Sequence, residues 1–261
     1  NGKLFNQALA LHNQGRTAGA EALYRNLIAD DPHHGGALNH LGVLCAQTGR
    51  PEEAENLIRR ALEHAPDDAS AWDNLGTVLS QGGRWQDALS AYGRALKLDP
   101  DRAPTLNNAG TALKSLSRFG EAAERFRQSL ALSPRAETWS NYANVLHAEG
   151  RDGEAEKAYR EAIAIDPDYA VAYNNLGCLL KRRGRYGEAL GALGQAVSLA
   201  PDYADALNNL GETFKERGQG SEAVTCYERA LEVAPDRADI HSNLLLALNA
   251  VPGLDSEDVF S

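Results

Sequence analysis

Apolar and small residues recur at i, i+3, i+4 and i+7, as in Trp72, Leu75, Gly76 and Leu79, and again in Ala88, Tyr92, Ala95 and Leu96. Each spacing lays one stripe along an α-helix. Between paired stripes stands a Gly-Arg step, at Gly49-Arg50, Gly83-Arg84, Gly150-Arg151 and Gly184-Arg185. Glycine there can take the positive φ that ends a helix. After each second stripe comes a proline: Pro32, Pro66, Pro100, Pro134, Pro167, Pro201 and Pro235, at steps of 34, 34, 34, 33, 34 and 34 residues. Proline lacks the amide proton and disfavours helical geometry in the residue before it, so it stops the helix. The pattern predicts a run of helical hairpins, all-α, with no strand.

With each proline set at position 32, other positions fall into register. Position 8 is Ala8, Gly42, Gly76, Gly110, Ala143, Gly177 and Gly211, and position 20 is alanine throughout, from Ala20 to Ala223. Position 15 is glycine except at Ser117, and position 24 is large: Tyr24, Ile58, Tyr92, Phe126, Tyr159, Leu193 and Tyr227. Small residues at 8 and 20 predict a close crossing of the two helices of each hairpin. A period this regular specifies stacked repeats, here seven units at 1–34, 35–68, 69–102, 103–135, 136–169, 170–203 and 204–237. Residues 238–261 then read as a capping helix and the start of a linker to a missing C-terminal region. A solenoid grows by nearest-neighbour contacts, so one continuous array is expected where length alone suggests two domains.

The W-x2-L-G, A-x3-Y and terminal proline pattern, recurring in register over residues 1–237, resembles the tetratricopeptide repeat. That resemblance implies a right-handed superhelical solenoid whose first helices line a concave groove.

Position 6 carries the functional signal. It reads Asn6, His40, Asn74, Asn108, Asn141, Asn175, Asn209 and, in the segment after the last full repeat, Asn243. At about 100° per residue, position 6 lies roughly 150° from the stripe of the first helix, away from the packed core. Asparagine is a mediocre helix former and stands too far inside the helix to cap it. Either the amide is kept for a ligand, or each duplicated copy keeps an amide that bonds a neighbouring helix. The free divergence of position 13 (Gln47, Gln81, Ser115, Ala148, Arg182, Glu216) favours the ligand. An amide offers donors and an acceptor that match a peptide main chain. Helices about 8–10 Å apart would present one amide to roughly every third residue of an extended chain. Neighbouring polar positions complete the candidate peptide-binding set: Asn107, Asn174 and Asn208 at position 5, Asn144 at position 9, and Lys114, Lys181 and Lys215 at position 12.

The asparagine series also resembles the ladder in the N-terminal array of O-linked N-acetylglucosamine transferases, and residues 240–249 with Pro252 and Phe260 resemble the segment after the repeats in SPINDLY-like members. What this implies is a substrate-recognition arm for a protein O-glycosyltransferase, dimerising in some members, so a homodimer is an allowed state. No catalytic region lies on the chain before Ser261, so these residues are expected to have no activity. The competing reading is a stand-alone adaptor or assembly scaffold with a fixed protein partner. A third resemblance, to the clamp for chaperone carboxylate tails, is limited to Asn144 followed by Asn175. Its cations are replaced by Ser140, Asp205 and Asn209.

Composition narrows the classes. A net charge of −10 with no Lys/Arg cluster disfavours nucleic acid and anionic membranes, leaving proteins or extended peptides as partners. Cys45, Cys178 and Cys226 lie in different repeats and form neither a disulfide framework nor a metal pair, so a reducing cytoplasm is expected. No stretch approaches the roughly 20 apolar residues of a membrane span. His33-His34 stand side by side rather than i, i+4, a poor metal pair expected in an exposed loop. No cofactor, metal or catalytic constellation is predicted, and Cys178 reads as a small passive residue.

Overall fold

The computed structural model describes residues 2–250. The described residues hold fifteen α-helices and no strand. In residues 1–133 four hairpins pair α1 (Gly2–Asn13) with α2 (Thr17–Asp30), α3 (Gly35–Gln47) with α4 (Pro51–His64), α5 (Ala69–Gln81) with α6 (Trp85–Leu98), and α7 (Ala103–Ser115) with α8 (Phe119–Leu132). In residues 134–261 three more pair α9 (Ala136–Ala148) with α10 (Asp152–Ile165), α11 (Ala170–Arg182) with α12 (Tyr186–Leu199), and α13 (Ala204–Glu216) with α14 (Gly220–Val233). A last helix, α15 (Ala238–Ala250), packs on α14 where the capping helix is expected. Residues 251–261, including Pro252 and Phe260 of the linker reading, lie outside the described residues.

Where the sequence suggests one array, the chain divides into two compact units, residues 1–133 and 134–261. The boundary falls at the fourth repeat, which is one residue short. Helices α8 and α9 keep 14 and 13 residues, so the loss is taken from the turn between them.

The turn inside each hairpin follows its chemistry. Gly49, Gly83, Gly150 and Gly184 adopt φ of 77°, 73°, 75° and 71°. The arginine amide that follows reaches back to the helix, Arg50 N–H to the Cys45 carbonyl at 2.8 Å and Arg84 N–H to that of Leu79 at 2.9 Å. This is the Schellman closure, which uses carbonyls the helix end would otherwise leave unbonded. Ser117 takes the same role at φ 57°, the one non-glycine residue with positive φ among those described. The second helices end on extended residues before proline, such as Asp99 (φ −142°, ψ 96°) and Asp166 (φ −133°, ψ 94°), as the clash with the proline ring requires.

The crossing has the expected small residues, and their opposing groups are now explicit. All seven position-20 alanines are fully buried. A Cβ on Gly42 would lie 2.5 Å from Ile58 Cγ1 and 3.1 Å from the Ala54 carbonyl oxygen; on Gly177 it would lie 2.5 Å from Leu193 Cγ and 3.3 Å from the Ala189 oxygen. On Gly76 and Gly110 it would meet the rings of Tyr92 and Phe126 at 2.5 and 2.7 Å. Position 8 is therefore small because the position-24 side chain lies flat against it.

Within each unit, the backbones of successive first helices come close to one another while those of successive second helices stay apart. The first helices thus form the narrow inner face of each stack.

Ion pairs tie neighbouring repeats through the conserved turn position. Arg50 reaches Glu21 of the preceding repeat at 2.8 Å and Glu53 of its own at 3.2 Å. Arg84 does the same with Glu55 at 2.9 Å and Asp87 at 2.7 Å. In the second unit Glu156, 8 % exposed in its side chain, is ringed by Arg160, Arg183 and Arg185. The run Lys181–Arg185 is a basic cluster where none is expected, and it is engaged within the fold. Lys181 bonds Glu212, Arg182 bonds His147, and Arg183 and Arg185 bond Glu156.

Candidate peptide-binding groove

The inner face presents positions 5, 6, 9 and 12 of the first helices, and the structure sorts them into structural and accessible groups. Position 6 does not point free of the fold as its angle predicts. Asn74, Asn108, Asn141, Asn175, Asn209 and Asn243 are all half-buried. Angles measured on one hairpin omit the next first helix, which packs alongside and covers half of this position.

Most of these amides bond the preceding repeat. Asn74 Nδ2 donates to Asn39 Oδ1 at 3.0 Å, Asn209 Nδ2 to Asn174 Oδ1 at 2.9 Å, and Asn243 Nδ2 to Asn208 Oδ1 at 3.0 Å. In the same register Asn108 is among the groups that lower the pKa of the Asp73 carboxyl, whose Oδ1 has no hydrogen-bond partner. In the fifth repeat position 5 is Ser140, and there Asn175 Nδ2 reaches Asn144 Oδ1 at 3.4 Å instead. The position-6 amide is thus a rung between adjacent first helices. Asn74, Asn209 and Asn243 donate to position 5 of the repeat before, and Asn175 to position 9.

Position 5 changes role accordingly. Asn174 and Asn208, together with Asn39 and Ser140, are buried between helices and do not line an open surface. Asn107 is half-buried, with Oδ1 sheltered from solvent and without a hydrogen-bond partner. Burial pushes the Asp73 carboxyl above the usual carboxylate range, while Thr105, Arg102 and Asn108 oppose that shift.

Positions 9 and 12 are more engaged than expected. Asn144 Oδ1 also accepts from the Tyr159 hydroxyl at 2.6 Å. Glu212, at position 9 of the seventh repeat, accepts from Lys181, from Asn208 at 3.2 Å and from Asn243 at 3.3 Å. Lys181 is therefore compensated on the inner face, and its side chain is 14 % exposed. Lys215 is half-buried, and burial lowers the Lys114 ammonium from its usual value. Burial raises the Cys178 thiol, which keeps it protonated at neutral pH, in line with a passive residue.

His40, the break in the asparagine series, is held in a cluster of rings. It stacks on Tyr24 at a centroid distance of 6.1 Å and meets Phe5 edge-on at 5.6 Å. Burial lowers its imidazole pKa. His34 is a half-buried helix cap, its Nδ1 accepting from the Ala37 amide at 3.1 Å, rather than an exposed loop residue. Trp72 donates Nε1–H to the Pro66 carbonyl at 2.8 Å and is a packing residue.

Among the described residues no helix is long and apolar enough to cross a membrane, and no group of three or more His, Cys, Asp or Glu is placed to hold a metal. The cysteines are unpaired.

No curated protein sequence matches the chain. Among solved structures, the Cut9–Hcn1 assembly of APC/C matches 92 % of this chain at TM-score 0.77 and 18 % identity, and this chain spans 48 % of that one. The type IV pilus biogenesis factor PilW matches 80 % at TM-score 0.74 and 21 % identity, with 98 % of its own chain covered. YrrB, described as a TPR protein with an unusual peptide-binding site, matches 74 % at TM-score 0.55 and 24 % identity, with 96 % of its chain covered. These likenesses are of fold. Two family models described as tetratricopeptide repeat match residues 11–78 with 180–247, and residues 67–135 with 134–202. With the hairpins, their glycine turns and the proline register, these matches place the chain in the tetratricopeptide-repeat family.

Proposed function

We propose that this chain is a scaffold that holds an extended polypeptide along the inner face of its first helices, with the position-6 amides accepting main-chain N–H groups. The observation that carries the reading is the recurrence of a half-exposed asparagine whose Nδ2 is already committed to the preceding helix. A committed nitrogen fixes the amide plane and so pre-orients its carbonyl oxygen. A pre-oriented acceptor loses less entropy on binding than a free one. At about 0.5–1.5 kcal/mol per hydrogen bond, and with ordering of the peptide opposing, such an array binds weakly and tolerates many sequences. The compensated Lys181 adds little preference for acidic chains, so main chain dominates. In the first unit Asn74 and Asn108, flanked by Lys114, make up the binding residues, and in the second Asn141, Asn175, Asn209 and Asn243, flanked by Asn144 and Lys215. YrrB offers a precedent of fold for peptide capture.

The test is fluorescence anisotropy of a labelled unstructured peptide on the Asn108→Ala, Asn141→Ala, Asn175→Ala, Asn209→Ala quadruple variant, well below its melting temperature. Weakened binding with retained helicity supports the proposal; unchanged affinity rejects it.

Two finer readings divide on what else the native polypeptide carries. The asparagine series favours the substrate-recognition arm of a protein O-glycosyltransferase. The near-complete coverage of PilW favours a stand-alone adaptor, since that fold serves there at a similar length. An intact native mass well above 28.1 kDa supports the first, and a mass near that value the second. The protonated thiols are compatible with a cytoplasmic setting, which stays part of this proposal.

A further inference from the structure

The two histidines that the sequence leaves idle, one in a loop and one at a helix end, meet in the fold. His33 lies in the turn between α2 and α3, and His64 is the last residue of α4. Their ring centroids are 4.0 Å apart, and His33 Nδ1 stands 2.7 Å from His64 Nε2. Both side chains are exposed. At this distance a neutral pair is joined by an N–H···N hydrogen bond, one ring donating, and the same two nitrogens, with their lone pairs turned to a point off the N–N line, are spaced to share one cation. A water-exposed hydrogen bond between neutral rings contributes little over hydration, so the pair is readily given up to a ligand that both nitrogens can bind.

The surroundings favour a cation. His64 sits where the carbonyl end of α4 carries negative partial charge. Asp30, Asp31, Glu63, Asp67 and Asp68 flank the pair in sequence, and the Asp31 side chain bonds the His33 amide at 3.1 Å. Of the five other histidines, four have a ring nitrogen committed elsewhere, His12 to Gln47, His34 to Ala37, His147 to Asp152 and Arg182, and His241 to the Pro235 carbonyl, and His40 is packed among rings.

We propose that His33 and His64 together bind one divalent transition-metal ion, copper or nickel in preference to zinc, bridging the first and second repeats. The preference follows from the nitrogen separation. Two nitrogens in cis positions at bonds of about 2.0–2.1 Å stand about 2.8–3.0 Å apart in a square or octahedral shell, against roughly 3.3–3.4 Å in a tetrahedral one. The separation of 2.7 Å lies nearer the first. Water fills the other positions, since no third protein ligand is placed there. Such an ion ties the first repeat to the second, adding to their nearest-neighbour interface.

The experiment titrates the untagged full chain with Cu2+, Ni2+ and Zn2+ by calorimetry, alongside His33→Asn, His64→Asn and His34→Asn. The expected result is one site, tighter for Cu2+ and Ni2+ than for Zn2+, weakened at least tenfold by either His33→Asn or His64→Asn and kept in His34→Asn. Cu2+ should raise the melting midpoint of the wild type and leave that of the two variants unmoved. Wild-type affinity in His64→Asn, or equal loss in His34→Asn, overturns the site; tighter Zn2+ overturns the geometry. Should a variant fail to fold, selective broadening of the His33 and His64 ring resonances by Cu2+ in the wild type decides, and its absence overturns the proposal.

Discussion

At the scale of single residues, backbone conformation and close contact outweigh polarity. Ser117 occupies a left-handed turn that glycine fills in every other hairpin. A non-glycine residue there carries steric strain, so Ser117→Gly should stabilise the chain by about 0.5–1 kcal/mol, less than the full strain because glycine loosens the unfolded chain. A lowered urea midpoint would contradict this. At Gly110 a Cβ already lies 2.7 Å from the Phe126 ring, so Gly110→Leu should overpack the crossing and cost about 1–3 kcal/mol. An unchanged midpoint would count against the crossing. Asn209→Ala removes a rung and leaves the Asn174 carbonyl without its donor, which should cost about 1–2 kcal/mol even without any peptide. A stability equal to wild type would return position 6 to a purely ligand-facing role.

At the scale of helices, the arginine at each turn works as an electrostatic link between repeats. The Arg50 guanidinium, with Arg25 behind it, holds the Glu21 carboxyl at about 2, and Arg25 lowers Glu53 as well. For Glu55 and Glu156 burial pulls the other way, but their arginines keep both below the usual carboxylate range. A depressed folded value means stability that is present above the unfolded pKa, near 4.3, and lost as pH falls through the folded one. The urea midpoint should therefore hold from pH 7 to about 5 and decline steadily toward 2. Glu156→Gln should flatten that decline in the second unit, and a midpoint that rises on acidification would refute the ion-pair account. These pairs were legible in part. A carboxylate three residues after most turn arginines is a visible i, i+3 signal, whereas the reach of Arg50 back to Glu21 depends on how repeats stack.

At the scale of the whole chain, the hairpins, their turns and the last helix could be read directly, because proline, glycine and helical spacing act over a few residues. The candidate site was only half readable. The asparagine series stands out in register, yet its bonds to Asn39, Asn144, Asn174 and Asn208 join residues about one repeat apart, a spacing no local pattern reports. For the same reason position 5 was misread as groove lining, and His33 was judged by its neighbour in sequence, His34, when its partner in space is His64. The peptide test above belongs to this scale, since weak contacts along the inner face add only when many rungs are present. Local physics, the missing amide proton of proline and the positive φ of glycine, allowed the sequence by itself to determine helices, turns and family. Only the tertiary structure decided which polar groups are spent inside the stack, because hydrogen bonding and burial there depend on helices brought side by side.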